Sequence, residues 1–157
     1  MKINSQLLGA AGVHFVAARL NALGLHAAPT IRNAPGVDLL VSDREGTRSA
    51  SVQVKTTNWA ARDSGRGESK SLSRYEWASK YVETSSKSLF YAFVDLKDFT
   101  ELPDIYFLPS QVVAKWYSDR GPRAGWKWPR FHPASAFMDP YRNNFTKLCR
   151  ILDAKDK

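Results

Sequence analysis

Two runs of β-prone residues stand close together early in the chain: Gly36-Val37-Asp38-Leu39-Leu40-Val41 and Ser51-Val52-Gln53-Val54-Lys55-Thr56-Thr57. The polar segment between them, residues 42–48, has Gly46 near its middle and is typical of a β-hairpin turn. A turn centred on Glu45 and Gly46 places Asp38 opposite Gln53, with Lys55 two residues further along the same face of its strand. We therefore expect an acid, an amide and a lysine to converge on one patch of a sheet that otherwise consists of Val and Leu.

The size and composition of the chain are those of a globular protein. Of its 157 residues, 43% are hydrophobic and 12% aromatic, so a single domain over residues 1–157 can bury a substantial core. No apolar run approaches the roughly 20 residues of a membrane span, and the N-terminus lacks the apolar core of a signal peptide. Cys149 is the only cysteine and cannot form an internal disulfide, which favours a reducing, cytoplasmic location.

The rest of the chain alternates between helical and strand patterns. Apolar residues at three- and four-residue steps predict a helix over residues 5–23, capped by Asn4 or Ser5 and ended by Gly24. Gly9 and Gly12 inside this helix indicate either a close approach to a strand or a relaxed face of small residues. Further helices are expected over residues 71–83, 110–117 and 140–152, and strands over residues 25–31, 88–96 and 104–108. This order predicts an α/β fold in which a central mixed β-sheet is flanked by helices.

The net charge of +8 and the pI of about 9.7 favour a polyanionic partner, nucleic acid before an anionic membrane surface. Two basic stretches are candidates for this contact. The polar loop at residues 58–70 carries Arg62, Arg66 and Lys70, and residues 120–133 interleave cations with aromatic rings: Arg123, Trp126, Lys127, Trp128 and Arg130. Cations beside flat aromatic faces suit backbone phosphates and splayed bases. The first stretch equally fits a solvated linker, and the second a long loop that attaches itself to the core.

Asp38, Gln53 and Lys55 together have the chemistry of a metal-assisted hydrolase. Asp38 offers the hard anionic oxygen that Mg²⁺ prefers, while the Gln53 side chain and the backbone carbonyl of Val54 offer neutral oxygens. A metal-bound water beside the Lys55 ammonium has a lowered pKa and can attack phosphorus. The reaction that these residues imply is phosphodiester hydrolysis with Mg²⁺ or Mn²⁺.

This arrangement resembles the PD-(D/E)XK nuclease superfamily, which has the restriction-endonuclease-like fold. In that family an acid at a strand end precedes a hairpin and an (E/Q)-x-K signature. Gly36-Val37-Asp38 matches the first part, and Gln53-Val54-Lys55 matches the second as a QxK variant. The resemblance covers roughly residues 6–108 and implies a preceding helix with a Gly-Glu motif whose glutamate points at the metal. The aligned pair here is Gly12-Val13, so that carboxylate is missing, and His14, about 100° further around the helix, is expected to be a poor substitute.

Three functional hypotheses follow from these observations. The first is a metal-dependent DNA endonuclease in which Asp38 and Gln53 are ligands and Lys55 activates water. The second, favoured by Val13 and Gln53, is a nuclease fold that has lost catalysis and binds nucleic acid as an accessory module. The third is a basic protein–protein interaction domain that does not contact DNA. For Asp38 itself the structural alternative is a salt bridge with Lys55 across the hairpin. The sequence is compatible with a homodimer but does not specify one.

Overall fold

The computed structural model describes residues 4–31, 36–64, 71–79, 85–119 and 130–153. Within these ranges the helices and strands follow one another in this order: α1 (Ser5–Ala22), β1 (His26–Pro29), β2 (Leu39–Ser42), β3 (Ser49–Thr57), β4 (Ala61–Ser64), β5 (Ser71–Tyr75), β6 (Trp77–Ala78), β7 (Leu89–Asp95), β8 (Asp104–Pro109), α2 (Ser110–Ser118), β9 (Arg130–Phe131), α3 (Ser135–Met138) and α4 (Thr146–Asp153). Short 3₁₀ turns lie at Lys97–Phe99 and Asp139–Tyr141.

The centre of the fold is a five-stranded mixed sheet with the strand order β1-β2-β3-β7-β8. Strands β1, β2 and β3 form an antiparallel meander, β3 and β7 are parallel, and β8 runs antiparallel to β7. Helices α1 and α4 contribute to the core on one face of the sheet, and α2 contributes to the core on the other. The predicted α/β fold, a central mixed β-sheet flanked by helices, is confirmed.

The hairpin β2–β3 pairs in the register that a turn centred on Glu45 and Gly46 requires, with Leu39 opposite Val52. Gly46 adopts a left-handed φ of +70°, and its N–H donates to the carbonyl of Asp43 at 3.2 Å. The Asp43 carboxylate accepts hydrogen bonds from the backbone N–H and the hydroxyl of Thr47, at 2.7 and 2.6 Å. The hydrogen bond from the Thr47 hydroxyl holds the pKa of Asp43 below its usual value. The turn is therefore specified by residues within itself.

Helix α1 is held at both ends and along one side. The Asn4 side chain accepts a hydrogen bond from the N–H of Gln6 at 2.8 Å, as expected of a cap, and Gly24 adopts a left-handed φ of +84° just beyond the helix. The buried side of the helix includes Gly12, Val16 and Leu20, of which the latter two belong to the core formed with β2, β3 and β7. The helix is thereby fixed above the strands that carry the predicted site.

An aromatic cluster covers the opposite face of the sheet. Tyr75 and Trp77 are only 2% and 1% exposed. The rings of Phe93 and Phe131 are stacked with their centroids 4.3 Å apart, and the indole N–H of Trp77 donates to the carbonyl of Val94 at 2.9 Å. Large rings of this kind contribute much of the apolar area that a core buries. The cluster therefore ties the segment after β3 to the back of the sheet.

The prediction of a helix over residues 71–83 is wrong for residues 71–79, which contain strands β5 and β6, while residues 80–83 lie outside the described ranges. Tyr75 and Trp77 flank Glu76, and burying both rings on one side requires the two-residue period of a strand. Part of the predicted loop at residues 58–70 is strand β4, which pairs with β5. The last helix is shorter than expected, since Asp139–Tyr141 is a 3₁₀ turn and α4 begins only at Thr146.

Candidate active site

Asp38 lies immediately before β2, and its carboxylate is bound to the neighbouring strand. Its backbone N–H donates to the carbonyl of Val52 at 2.9 Å, and its Oδ2 accepts a hydrogen bond from the N–H of Val54 at 2.7 Å. If β2 began earlier in the chain, one of its backbone carbonyls would accept this hydrogen bond from Val54. The Asp38 carboxylate takes the place of that carbonyl. This bond holds the acid beside the middle residue of Gln53-Val54-Lys55.

Strand β3 presents its residues to the two faces of the sheet in alternation. Val52 and Val54 belong to the core beneath α1, whereas Gln53 and Lys55 are half-buried and lie in register with Tyr91 and Phe93, two members of the opposite core. The N–H of Val54 faces β2, and the carbonyl of a strand residue faces the same side as its N–H. The Val54 carbonyl therefore also faces the edge where Asp38 lies.

The structural alternative for Asp38, a salt bridge with Lys55, is not formed. Among the described residues, the Asp38 carboxylate accepts a hydrogen bond from the N–H of Val54 and has no ion pair. Lys55 has a partner elsewhere. One carboxylate oxygen of Asp38, Oδ1, stays available for a ligand.

A cleft of about 520 Å³ opens between Asp38 and the N-terminal half of α1. Its lining consists of Ser5, Gln6, Gly9, Ala10, Val13, His14, Pro29, Thr30, Ile31, Val37, Asp38 and Val54. Gln53 and Lys55 are absent from this lining, because their side chains leave β3 on the other face of the sheet. Asp38 therefore lies where the cleft meets the sheet.

Val13 and His14 both border this cleft. Val13 is the position at which the family resemblance implies a glutamate. It lies on the side of α1 that borders the cleft, where that glutamate would be expected. His14 was expected to be a poor substitute because of its angular offset, and it borders the same cleft as Asp38. The four-residue spacing of Gln6, Ala10 and His14, which marks one side of a helix, is the signal that could have identified it.

The oxygen donors near Asp38 are few but suit a hydrated divalent ion. Across the described ranges there is no group of three or more His, Cys, Asp or Glu side chains that could hold a metal. Asp38 supplies one anionic oxygen and the Val54 carbonyl one neutral oxygen at this edge, whereas the Gln53 side chain leaves β3 on the other face of the sheet. Mg²⁺ binds through one or two carboxylates and keeps several waters, so one carboxylate is the smallest set that can hold it.

Arg62 and Arg130, from the two predicted basic stretches, meet at one acid. Arg130 forms a short salt bridge with Glu76, and the Arg62 Nε lies 3.9 Å from the same carboxylate oxygen. The Glu76 side chain is 14% exposed and that of Arg130 is 52% exposed, so the arginines form the outer part of this cluster. Six further residues of the predicted nucleic-acid contact lie outside the described ranges: Arg66, Lys70, Arg123, Trp126, Lys127 and Trp128.

Comparison with known proteins finds a solved structure with a similar fold. The structure is similar to that of a bacterial homing endonuclease, I-Ssp6803I, with a TM-score of 0.60, 15% sequence identity, and coverage of 98% of this chain and 96% of that chain. At this identity the likeness concerns the fold. No protein-family profile matches the chain, and no curated protein has a significantly similar sequence. In the described ranges, every helix is too short or too polar to cross a membrane.

Proposed function

We propose that this protein is a divalent-metal-dependent DNA endonuclease of the PD-(D/E)XK type with a QxK signature. The observation that carries the proposal is the hydrogen bond from Val54 N–H to Asp38 Oδ2, 2.7 Å long, which joins the acid to the Gln-x-Lys strand. The nuclease-like fold and the net charge of +8 support the same conclusion. The fold and the charge alone would not indicate a reaction; the acid before β2 and the lysine on β3 do.

Each residue of the site has a separate task in this proposal. Asp38 Oδ1 and the Val54 carbonyl would hold Mg²⁺ or Mn²⁺, and the Gln53 amide oxygen would reach the ion from the other face of the sheet, around the end of β2. The ion, when bound, supplies a water of lowered pKa and a positive charge beside the scissile phosphate. The Lys55 ammonium would reach around the end of β2 from the other face of the sheet, orient the attacking water and offset the negative charge that develops on the phosphate oxygens. Val54 N–H keeps the Asp38 carboxylate fixed, so little reorganisation is needed before reaction.

The proposal is tested by incubating the purified protein with supercoiled plasmid and MgCl₂ or MnCl₂. We expect nicked or linear product that EDTA suppresses, and we expect Lys55→Ala to lower the cleavage rate by about 10²–10³-fold, since it removes a preorganised charge. Lys87→Ala is the matched control, because Lys87 is exposed and borders a separate groove beside β8 and α4. Cleavage that persists at the wild-type rate in Lys55→Ala would show that the active-site assignment is wrong.

A second candidate function is a nuclease fold that binds nucleic acid without cutting it. Val13 favours it, because an apolar residue borders the cleft where the resemblance implies a carboxylate. This candidate predicts DNA binding that weakens with salt, needs no divalent ion and yields no product with any metal. The plasmid assay and a salt titration of binding separate the two functions.

We propose that the Arg62–Glu76–Arg130 cluster contacts the DNA backbone. Arg130→Ala is expected to weaken binding and to lower the slope of log K against log salt by about 1, because one phosphate contact is lost. Fluorescence anisotropy with a labelled duplex measures this slope. Lys147→Ala on α4, beside the other core, is the matched control and should leave the slope unchanged. Equal changes in both variants would mean that binding depends on overall charge and not on this cluster.

We also propose a cytoplasmic location, one catalytic domain over residues 1–157 and a homodimeric assembly. A homodimer has two active sites and can cut both strands of a duplex in one encounter, whereas a monomer releases nicked product. Light scattering at several protein concentrations, combined with the ratio of linear to nicked plasmid, tests the assembly.

A further inference from the structure

We propose that the imidazole of His14 is a metal ligand of the candidate active site, and that the site therefore prefers Mn²⁺ or Co²⁺ to Mg²⁺. This inference rests on the proposed metal-dependent function and deepens it. In this proposal a nitrogen donor on α1, the His14 imidazole, replaces the carboxylate oxygen that is missing at Val13.

The position of His14 is the first argument. His14 and Asp38 border one cleft of about 520 Å³, the former from α1 and the latter from the position just before β2. Val54, whose N–H binds Asp38, borders the same space. Gly9 and Ala10 form the adjoining wall of α1, and their small side chains leave room between the helix and the acid.

The availability of the two groups is the second argument. His14 is exposed, and none of the residues that the structure describes engages its ring by a hydrogen bond or ion pair. The other two histidines are both engaged: the His26 Nε2 lies 3.1 Å from the carbonyl of Arg44, and the His132 ring packs edge-on against Trp116 with centroids 5.2 Å apart. His14 thus differs from them in having an exposed ring without such a contact at a cleft that Asp38 also lines.

The chemistry of the donor set is the third argument. Mg²⁺ favours oxygen ligands, and its affinity depends on the number of carboxylates, so Val13 in place of an acid weakens a Mg²⁺ site. Imidazole nitrogen is a poor ligand for Mg²⁺ but a good one for first-row transition metals. One carboxylate, one imidazole and one backbone carbonyl therefore suit Mn²⁺ or Co²⁺ better than Mg²⁺.

The test is a MnCl₂ titration followed by electron paramagnetic resonance, with the free protein and with a cleavage-resistant phosphorothioate duplex. We expect His14→Ala to lower Mn²⁺ affinity by about tenfold or more, since even outer-shell partners of metal ligands contribute about 10–100-fold. Pulsed measurements should show nitrogen coupling to bound Mn²⁺ in the wild type and none in His14→Ala. His26→Ala is the matched control, because His26 is also exposed but lies at the opposite end of the β1–β2 pair.

The outcomes separate this inference from the proposed function. Mn²⁺ that binds equally well to His14→Ala, without nitrogen coupling in the wild type, would exclude His14 as a ligand and leave the nuclease proposal intact. A wild-type protein that takes up no Mn²⁺, even with the duplex, would overturn both proposals. Because His14 is exposed and Ala favours helices, the variant should stay folded, which its melting temperature verifies.

Discussion

Asp38→Asn is expected to lower the rate of DNA cleavage by about a thousandfold while the protein stays folded. The substitution removes the single anionic side chain among the described residues that line the cleft, on which both metal affinity and charge stabilisation depend. It keeps the shape of the side chain and an oxygen that can accept the hydrogen bond from Val54 N–H, which is 2.7 Å long in the native protein. Plasmid cleavage at saturating Mn²⁺ measures the effect.

Two comparisons make this result specific to the charge of Asp38. Asp38→Ala should abolish cleavage as well, but it also removes the hydrogen bond and is expected to cost about 1 kcal/mol of stability. Asp38→Asn should bind DNA at least as tightly as the wild type, because a negative charge near the backbone phosphates has been removed. Cleavage by Asp38→Asn within a few-fold of the wild-type rate would refute the role assigned to the carboxylate.

Gly12→Ala is expected to destabilise the protein by about 2–3 kcal/mol. A Cβ at this position would lie closest to Thr56 Oγ1 and within 2.8 and 2.9 Å of the Cγ2 and Cβ of the same residue. Thr56 belongs to β3, so relief of the overlap requires α1 to move away from the strand on which the site is built. Urea unfolding measures the loss as a lower transition midpoint.

Gly9 supplies the matched control for this prediction. A Cβ at Gly9 meets no atom within 4 Å, so Gly9→Ala should gain about 0.5–1 kcal/mol from helix propensity. Adding Thr56→Ala to Gly12→Ala removes two of the three atoms that overlap and should recover part of the stability. Equal midpoints for Gly9→Ala and Gly12→Ala would contradict the packing of α1 on β3 described above.

The sequence predicts the hairpin better than any other part of the fold, because its determinants are local. Glu45 and Gly46 fix the centre of the turn, and the observed pairing of Leu39 with Val52 follows from it. The spacing of Gly9 and Gly12 indicates a close approach to a strand or a relaxed face of small residues. Gly12 lies close to Thr56, whereas Gly9 has open space beside it. Only the packing of β3 under the helix distinguishes them.

The segment around Tyr75 and Trp77 shows where local reasoning fails. Its apolar residues fit a helical period and a strand period about equally well, and partners distant in the chain, such as Phe93 and Phe131, decide between them. For the candidate site, the sequence predicts which residues to consider but not the contacts that hold them in place. The bond between Val54 N–H and Asp38 depends on β2 beginning only at Leu39, and the exposure of His14 to the cleft depends on the rotation of α1.

The parallel pairing of β3 with β7 has a consequence for the order in which the protein assembles. The meander β1–β3 closes over short connections, whereas β7 reaches β3 only after a long excursion of the chain through β4, β5 and β6. Since closing a long loop costs more chain entropy, local hairpins tend to form before such pairings. We therefore expect Asp38 to contact Val54 early in refolding, and Lys55 to gain its neighbours on β7 late. Any cutting activity would then appear only after the aromatic core has formed, so a partly folded chain would not damage DNA.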